Sequence, residues 1–225
     1  MANTVFLFDV DNTLLDNDAV QRDLSADLER EVGLASRARY WEIFEELRTQ
    51  LGYADYLGAL QRIRLERPEE LQLLRISFFL LEYPFAGRLY PGALAALARC
   101  RAEGLTVILS DGDVVLQPRK VQRAGLWDAV EARVLIYLHK EEMLSDVARR
   151  YPAAHYVMID DKLRILAAMK KIWRERLTTV FVRQGHYALD PREIAAWPAA
   201  DVTLASIAEL AGERLPVLAP FMVSG

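Results

Sequence analysis

Short apolar runs that stop abruptly at a carboxylate or a hydroxyl punctuate this chain. Val5-Phe6-Leu7-Phe8 ends at Asp9, Val107-Ile108-Leu109 at Ser110, and Tyr156-Val157-Met158-Ile159 at Asp160. Runs this short, bounded by polar turns, read as strands covered on both faces, which is the habit of a parallel sheet. The pattern places strands over 5–8, 105–109, 133–137, 156–159 and 178–182. Helical spacing fills the intervals at 92–103, 118–124, 140–151 and 162–176, with Gly104 and Gly125 closing the first two. Strands that alternate with helices build a mostly parallel sheet with helices on both faces. Its crossovers are right-handed and its ligands sit at the carboxyl ends of the strands. Each polar cluster follows a predicted strand, which is the first functional signal.

The pattern changes between about residues 18 and 81. No strand spacing occurs there, and helices are expected over 20–32, 36–51, 54–66 and 68–81. Ser36 suits the N-cap of the second, and Pro68 before two glutamates suits the start of the fourth. Tyr40, Trp41, Phe44 and Leu47 share a helical face and read as the packing core of this segment. The expected fold is therefore α/β: a doubly wound, Rossmann-like parallel-sheet core of residues 1–16 and 88–225, interrupted by an all-helical domain over 17–87.

Composition narrows the function classes. With 52% hydrophobic and 27% charged residues of mixed sign, the chain is globular rather than disordered. A net charge of −4 argues against nucleic acid as the main partner, and leaves a phosphate substrate open because a bound cation can invert the field at one site. The single cysteine, Cys100, precludes an intramolecular disulfide and sits in a helical pattern as a small apolar residue. No stretch approaches the roughly 18 apolar residues of a membrane span, and the run cut by Asp9 is too short for a signal peptide. The expectation is a cytoplasmic protein with no membrane or nucleic-acid partner; nothing in the pattern fixes an oligomeric state.

The chemistry concentrates at the strand ends. Asp9 and Asp11, two apart in an extended segment, leave on the same face. Carboxylates that close repel, and a hard divalent cation such as Mg2+ relieves the repulsion. Ser110 follows the second long strand with Asp111 and Gly112, and Asp160-Asp161 follow another. Two lysines are candidates to neutralise this charge: Lys120, on the helix after Ser110, and Lys140, which starts a helix beyond the strand 133–137. Placement at a strand's carboxyl end favours Lys140. No Gly-rich Walker loop is present, and His139, His155 and His186 lack metal-site spacing.

Phe8-Asp9-Val10-Asp11-Asn12-Thr13, Leu109-Ser110, Lys140 and Ile159-Asp160-Asp161, in this order, resemble the four motifs of the haloacid dehalogenase-like superfamily, phosphatase type. The resemblance covers residues 5–16 and 88–210. It implies that Asp9 is the nucleophile that forms an aspartyl-phosphate, and that Asp11 is the acid that protonates the leaving group and then activates water. It implies that Ser110, the following amides of Asp111 and Gly112, and Lys140 bind the phosphoryl group. Mg2+ is implied on Asp9, on Asp11 through its backbone carbonyl, and on Asp160, with Asp161 supporting or replacing Asp160. The helical segment is implied to be a cap hinged at 14–17 and 84–88. Dehalogenases of this superfamily lack the second aspartate, so Asp11 points to a small phosphorylated substrate. Phosphoryl transfer to a second substrate, and a non-catalytic binding role suggested by Asp111, Glu141 and Lys162, are the alternatives.

Overall fold

A computed structural model describes residues 2–212. Six parallel strands form one sheet: β1 (Ala2–Phe8), β2 (Leu105–Asp111), β3 (Val134–Tyr137), β4 (Ala153–Asp160), β5 (Leu177–Val182) and β6 (Val202–Leu204), in the order β3-β2-β1-β4-β5-β6. The chain runs outward from β1 through β2 to β3, then crosses back to β4 on the other side of β1. The topological switch point therefore lies between β1 and β4, where a doubly wound sheet opens its ligand crevice. Phe8 is level with both Ile108 and Ile159, so Asp9 and Asp160 leave the sheet side by side.

Strand alternation builds the two sides of the sheet. Val5, Leu7, Val107, Leu109, Tyr156 and Met158 enter one apolar cluster, while Phe6, Phe8, Ile108, Val157 and Ile159 enter the other. All are buried, each stabilising the fold by about 1.5–3 kcal/mol for the larger side chains. Helices α4 (Ala93–Arg101), α5 (Leu116–Arg123), α6 (Leu126–Ala129), α7 (Leu144–Arg150), α8 (Leu163–Trp173), α9 (Gly185–Leu189) and α10 (Pro191–Ala196) cover the sheet or its edge.

Between β1 and β2 the chain is helical, as its pattern predicts, although the boundaries differ. The first two expected helices form one long element, bent at Gly33, whose φ of 79° and ψ of 170° break the helical path. It spans Asn17–Leu51 and carries an N-cap at Asp16, which accepts from the Ala19 amide at 2.8 Å. This element is α1. Helix α2 (Tyr56–Glu66) is capped by Asp55 in the same way, at 2.7 Å from the Gly58 amide. Two expectations are corrected here. Ser36 caps nothing: its hydroxyl donates to Glu70 and accepts from Arg67, tying α1 to the turn after α2. Helix α3 (Leu73–Glu82) starts at Leu73 rather than Pro68, because residues 67–72 close instead as a series of tight turns.

Helices α1–α3 bury Leu24, Leu28, Tyr40, Ile43, Ile63, Ile76 and Leu80, and this apolar cluster continues without a break into Phe6, Phe8 and Val10 on the sheet. The two chain crossings run side by side: Leu15 pairs antiparallel with Leu89, the Asp16 amide donates to Arg88 at 2.8 Å and the Tyr90 amide to Leu14 at 2.9 Å. No helix among the described residues is long and apolar enough to cross a membrane.

Candidate active site

Beyond β1 the backbone folds over itself. The amides of Leu14 and Leu15 both reach the Val10 carbonyl, and Asn12 takes φ 61°, a left-handed conformation that asparagine tolerates better than most residues. The Asn12 side chain then anchors the start of α1, with Oδ1 accepting from the amides of Asn17 at 3.0 Å and Asp18 at 3.2 Å. Gly185 closes over it; a Cβ there would stand 2.4 Å from the Asn12 side chain. This turn leaves Asp9 buried at the strand end, with Asp11 facing a cavity.

Lys140 lies at the centre of the first cluster. Its ammonium is 2.5 Å from Asp9 Oδ1 and 2.7 Å from Asp160 Oδ2, and it is 2% exposed. Burial alone would favour the neutral amine, but Asp160, Asp9 and Asp111 outweigh it and raise its pKa. The Asp111 carboxylate turns to the Lys140 backbone, accepting from its amide at 2.7 Å, and burial pushes its pKa up to about 6 against the pull of Lys140. A short 3-10 turn over 140–142 precedes α7, so the helix expected from Lys140 begins at Leu144.

Asp9, Asp160 and Asp161 converge, with one carboxylate oxygen of each within 4.8 Å of the others. Asp160 is partly satisfied, by Lys140 and by the Lys162 amide at 2.8 Å. Asp161 is not: among the described residues both of its oxygens are buried without a hydrogen bond, and burial, opposed by the Lys162 charge and reinforced by Asp160 and Asp9, drives its pKa well above the carboxylate range. Two orphaned oxygens beside two more carboxylates are a donor set of hard oxygen ligands, and they fit a divalent cation. The Asp11 carboxylate is not in this group.

Asp11 belongs to a second cluster. Lys120, 1% exposed, contacts Asp11 Oδ1 at 2.7 Å, Oδ2 at 2.9 Å and Asn17 Oδ1 at 3.0 Å. Asn17 Nδ2 donates in turn to the Tyr56 hydroxyl at 3.1 Å, as does Gln21 Nε2 at 2.8 Å. One turn before Lys120 on α5, Gln117 donates to Ser110 Oγ at 3.0 Å. Sequence reasoning held Lys120 as the less favoured of two lysine candidates, did not foresee its pairing with Asp11, and missed Gln117, Asn17 and Tyr56. The available signal was on α5, where polar Gln117 and Lys120 share the buried stripe with Leu116 and Val121. Gly112 is also corrected: its amide donates to the Tyr137 carbonyl at 2.9 Å and is not free for a phosphoryl oxygen. A glycine is needed there because a Cβ would stand 2.6 Å from Gln117 Cβ.

A cavity of about 360 Å3 opens above these clusters. The sheet side lines it with Asp11, Asp161 and Lys162, and the helical segment with Gln21, Arg48 and Tyr56. Its walls thus come both from the strand ends and from helices α1 and α2.

A family model described as haloacid dehalogenase-like hydrolase matches residues 4–172. A haloacid dehalogenase-like hydrolase from Burkholderia xenovorans LB400 is 66% identical, with a TM-score of 0.91 over 94% of this chain and 99% of that one. The hydrolase YfnB from Bacillus subtilis, in a structure bound to magnesium, is 18% identical with a TM-score of 0.61 over 92% of this chain and 96% of that one. The L-2-haloacid dehalogenase PA0810 is 20% identical with a TM-score of 0.67 over 93% and 98%. Those last two likenesses are of fold alone. No curated protein matches. The motif order along the strand ends, the switch-point site and the matched family model together place the chain in the haloacid dehalogenase-like hydrolase family.

Proposed function

We propose that this hydrolase is a Mg2+-dependent phosphomonoester hydrolase working through an aspartyl-phosphate on Asp9. The observation that carries the reading is the second carboxylate: Asp11 faces the cavity two residues from Asp9 and is fixed there by a buried lysine. A halide leaves carbon without a proton, whereas an alkoxide leaving phosphorus gains from a positioned acid.

Roles follow from the contacts. Lys140 holds Asp9 Oδ1, which leaves Oδ2, touched among the described residues only by Thr13 Oγ1 at 3.4 Å, to attack phosphorus. As the new P–O bond forms, the bond to the leaving oxygen breaks and Asp11 supplies its proton. Asp11 then takes a proton from water, the water oxygen attacks phosphorus, and phosphate departs with Asp9 restored. Lys140 and the Ser110 hydroxyl stabilise charge on the phosphoryl oxygens. Asp9, Asp160 and Asp161 would hold Mg2+, with Asp161 the most available of the three because its oxygens have no other partner. A cation bound there neutralises the acidic cluster and the phosphoryl charge. The helical segment would act as a cap that excludes water and selects the leaving group.

The test is a comparison of 4-nitrophenyl phosphate with 2-chloropropionate, with and without Mg2+. Hydrolysis of the phosphate ester that requires Mg2+ supports the reading. Chloride release without phosphate release would replace it with dehalogenation.

A further inference from the structure

Asp161 and Lys162 are consecutive and oppositely charged and make no direct hydrogen bond or ion pair among the described residues, although, against burial, the charges of Asp161, Asp9 and Asp160 act on Lys162 from a distance and raise its pKa. Lys162 is extended, at φ −114° and ψ 107°, so the two side chains leave on opposite sides. Asp161 joins the acidic cluster, and Lys162 lines the cavity half-buried. Among the described residues its ammonium makes no hydrogen bond or ion pair; it stands over the Tyr187 ring, 5.1 Å from the centroid. Arg48, from the helical segment, donates to the Tyr187 hydroxyl and fixes that ring.

The other charges around the cavity are committed. Lys120 neutralises Asp11, Glu45 pairs with Arg48 at 2.6 Å, and Glu141 pairs with Arg164 at 2.7 Å. Glu193 lies exposed at the rim. Tyr56 adds a directed donor. Lys120 is donor-only, which fixes Asn17 with Oδ1 toward it and Nδ2 toward Tyr56. With Gln21 Nε2 donating as well, the phenol oxygen is filled as an acceptor and keeps its O–H to give. Apart from Asp161, which belongs to the proposed cation site, and Glu193 at the rim, the uncommitted groups are donors, and the cavity is larger than one phosphoryl group requires.

We propose that Lys162 and the Tyr56 hydroxyl bind a second anionic oxygen group of the substrate, separate from the transferring phosphoryl group. The substrate class is then a small phosphomonoester whose alcohol half carries a carboxylate or a further phosphate. This inference rests on the phosphatase reading above.

The experiment uses three matched esters with Mg2+: propyl phosphate, 3-phosphonooxypropionate and propane-1,3-diol bisphosphate. Wild type, Lys162→Met, Lys162→Arg and Tyr56→Phe are compared by kcat/KM, with melting temperatures to verify folding. Wild type prefers one anionic ester over propyl phosphate by at least about tenfold, and which one it prefers separates carboxylate from phosphate. Lys162→Met collapses that preference, Lys162→Arg keeps most of it, and Tyr56→Phe reduces it. Equal loss on all three esters in Lys162→Met would assign the lysine to the transferring phosphoryl group and overturn the proposal, as would a wild type with no preference. Should wild type hydrolyse neither these esters nor 4-nitrophenyl phosphate, the phosphatase reading fails. Calorimetry with 3-hydroxypropionate and with propanediol monophosphate then decides the anion site alone: binding lost in Lys162→Met supports it, and no binding or unchanged binding overturns it.

Discussion

Lys120 directs all three of its ammonium hydrogens at two residues: two at the Asp11 carboxylate, at 2.7 and 2.9 Å, and one at Asn17 Oδ1, at 3.0 Å. A side chain on α5 thereby fixes the acid proposed for the leaving group and ties it, through Asn17, to Tyr56 on α2. Lys120→Met is expected to lower kcat by about a hundredfold, the scale of a mispositioned general acid, with a smaller change in KM. Steady-state kinetics read the split. The variant should melt lower, though by less than the about 3–5 kcal/mol of a fully buried pair, because Asp11 is 23% exposed and water can replace the lysine. An unchanged kcat would remove Asp11 positioning from the account.

Asp161 predicts an opposite effect on stability. Its two orphaned oxygens lie beside Asp9 and Asp160, so the metal-free fold buries a carboxyl group with no hydrogen-bond partner among the described residues, held protonated by its raised pKa. Asp161→Asn is expected to stabilise the metal-free protein by about 1–3 kcal/mol, the cost of an unsatisfied buried polar group. It should also abolish the rise in melting temperature that Mg2+ gives the wild type by binding only the folded state. Thermal denaturation in EDTA and in millimolar Mg2+ measures both. A variant that Mg2+ still stabilises as strongly as wild type would exclude Asp161 as a ligand.

Asp111 gives a pH signature. Burial raises its folded pKa to about 6, above the ordinary aspartate range, so the folded state holds its proton more tightly than the unfolded state does. The contribution of this group to stability is therefore fully present below about pH 4 and is lost as pH rises through about 6. Relative to Asp111→Asn, the wild type should lose stability between pH 4 and 6 and run parallel to it above. Urea titrations across that range test the difference; a constant offset at every pH would contradict it.

How far the sequence reaches is clear from where it stops. Strands that end in carboxylates or hydroxyls were legible because burial on both faces demands unbroken apolar runs, and the polar break marks the sheet edge. The convergence of Asp9, Lys140, Asp160 and Asp161 follows from that pattern, since equal registers bring the strand ends level. Lys120 was legible only as a second candidate for neutralising the acidic residues: its partner Asp11 lies 109 residues away, and a lysine on an amphipathic helix reads as solvated until the packing shows that it faces inward. Gly112 was misread for a related reason, its amide being committed to Tyr137 on the neighbouring strand. Short elements such as α6, α9, α10 and β6 carry too few turns for periodicity to reveal, although α9 supplies His186 and Tyr187 to the cavity wall.

The covalent role of Asp9 is the central claim, and trapping the intermediate tests it most directly. Wild type and Asp9→Asn are mixed with a 32P-labelled phosphomonoester and Mg2+, quenched in acid and precipitated, and the protein-bound label is counted before and after hydroxylamine. Label on wild type that hydroxylamine releases, as an acyl phosphate requires, and none on Asp9→Asn with its fold intact, is the predicted result. Label or turnover that persists in Asp9→Asn would contradict the account.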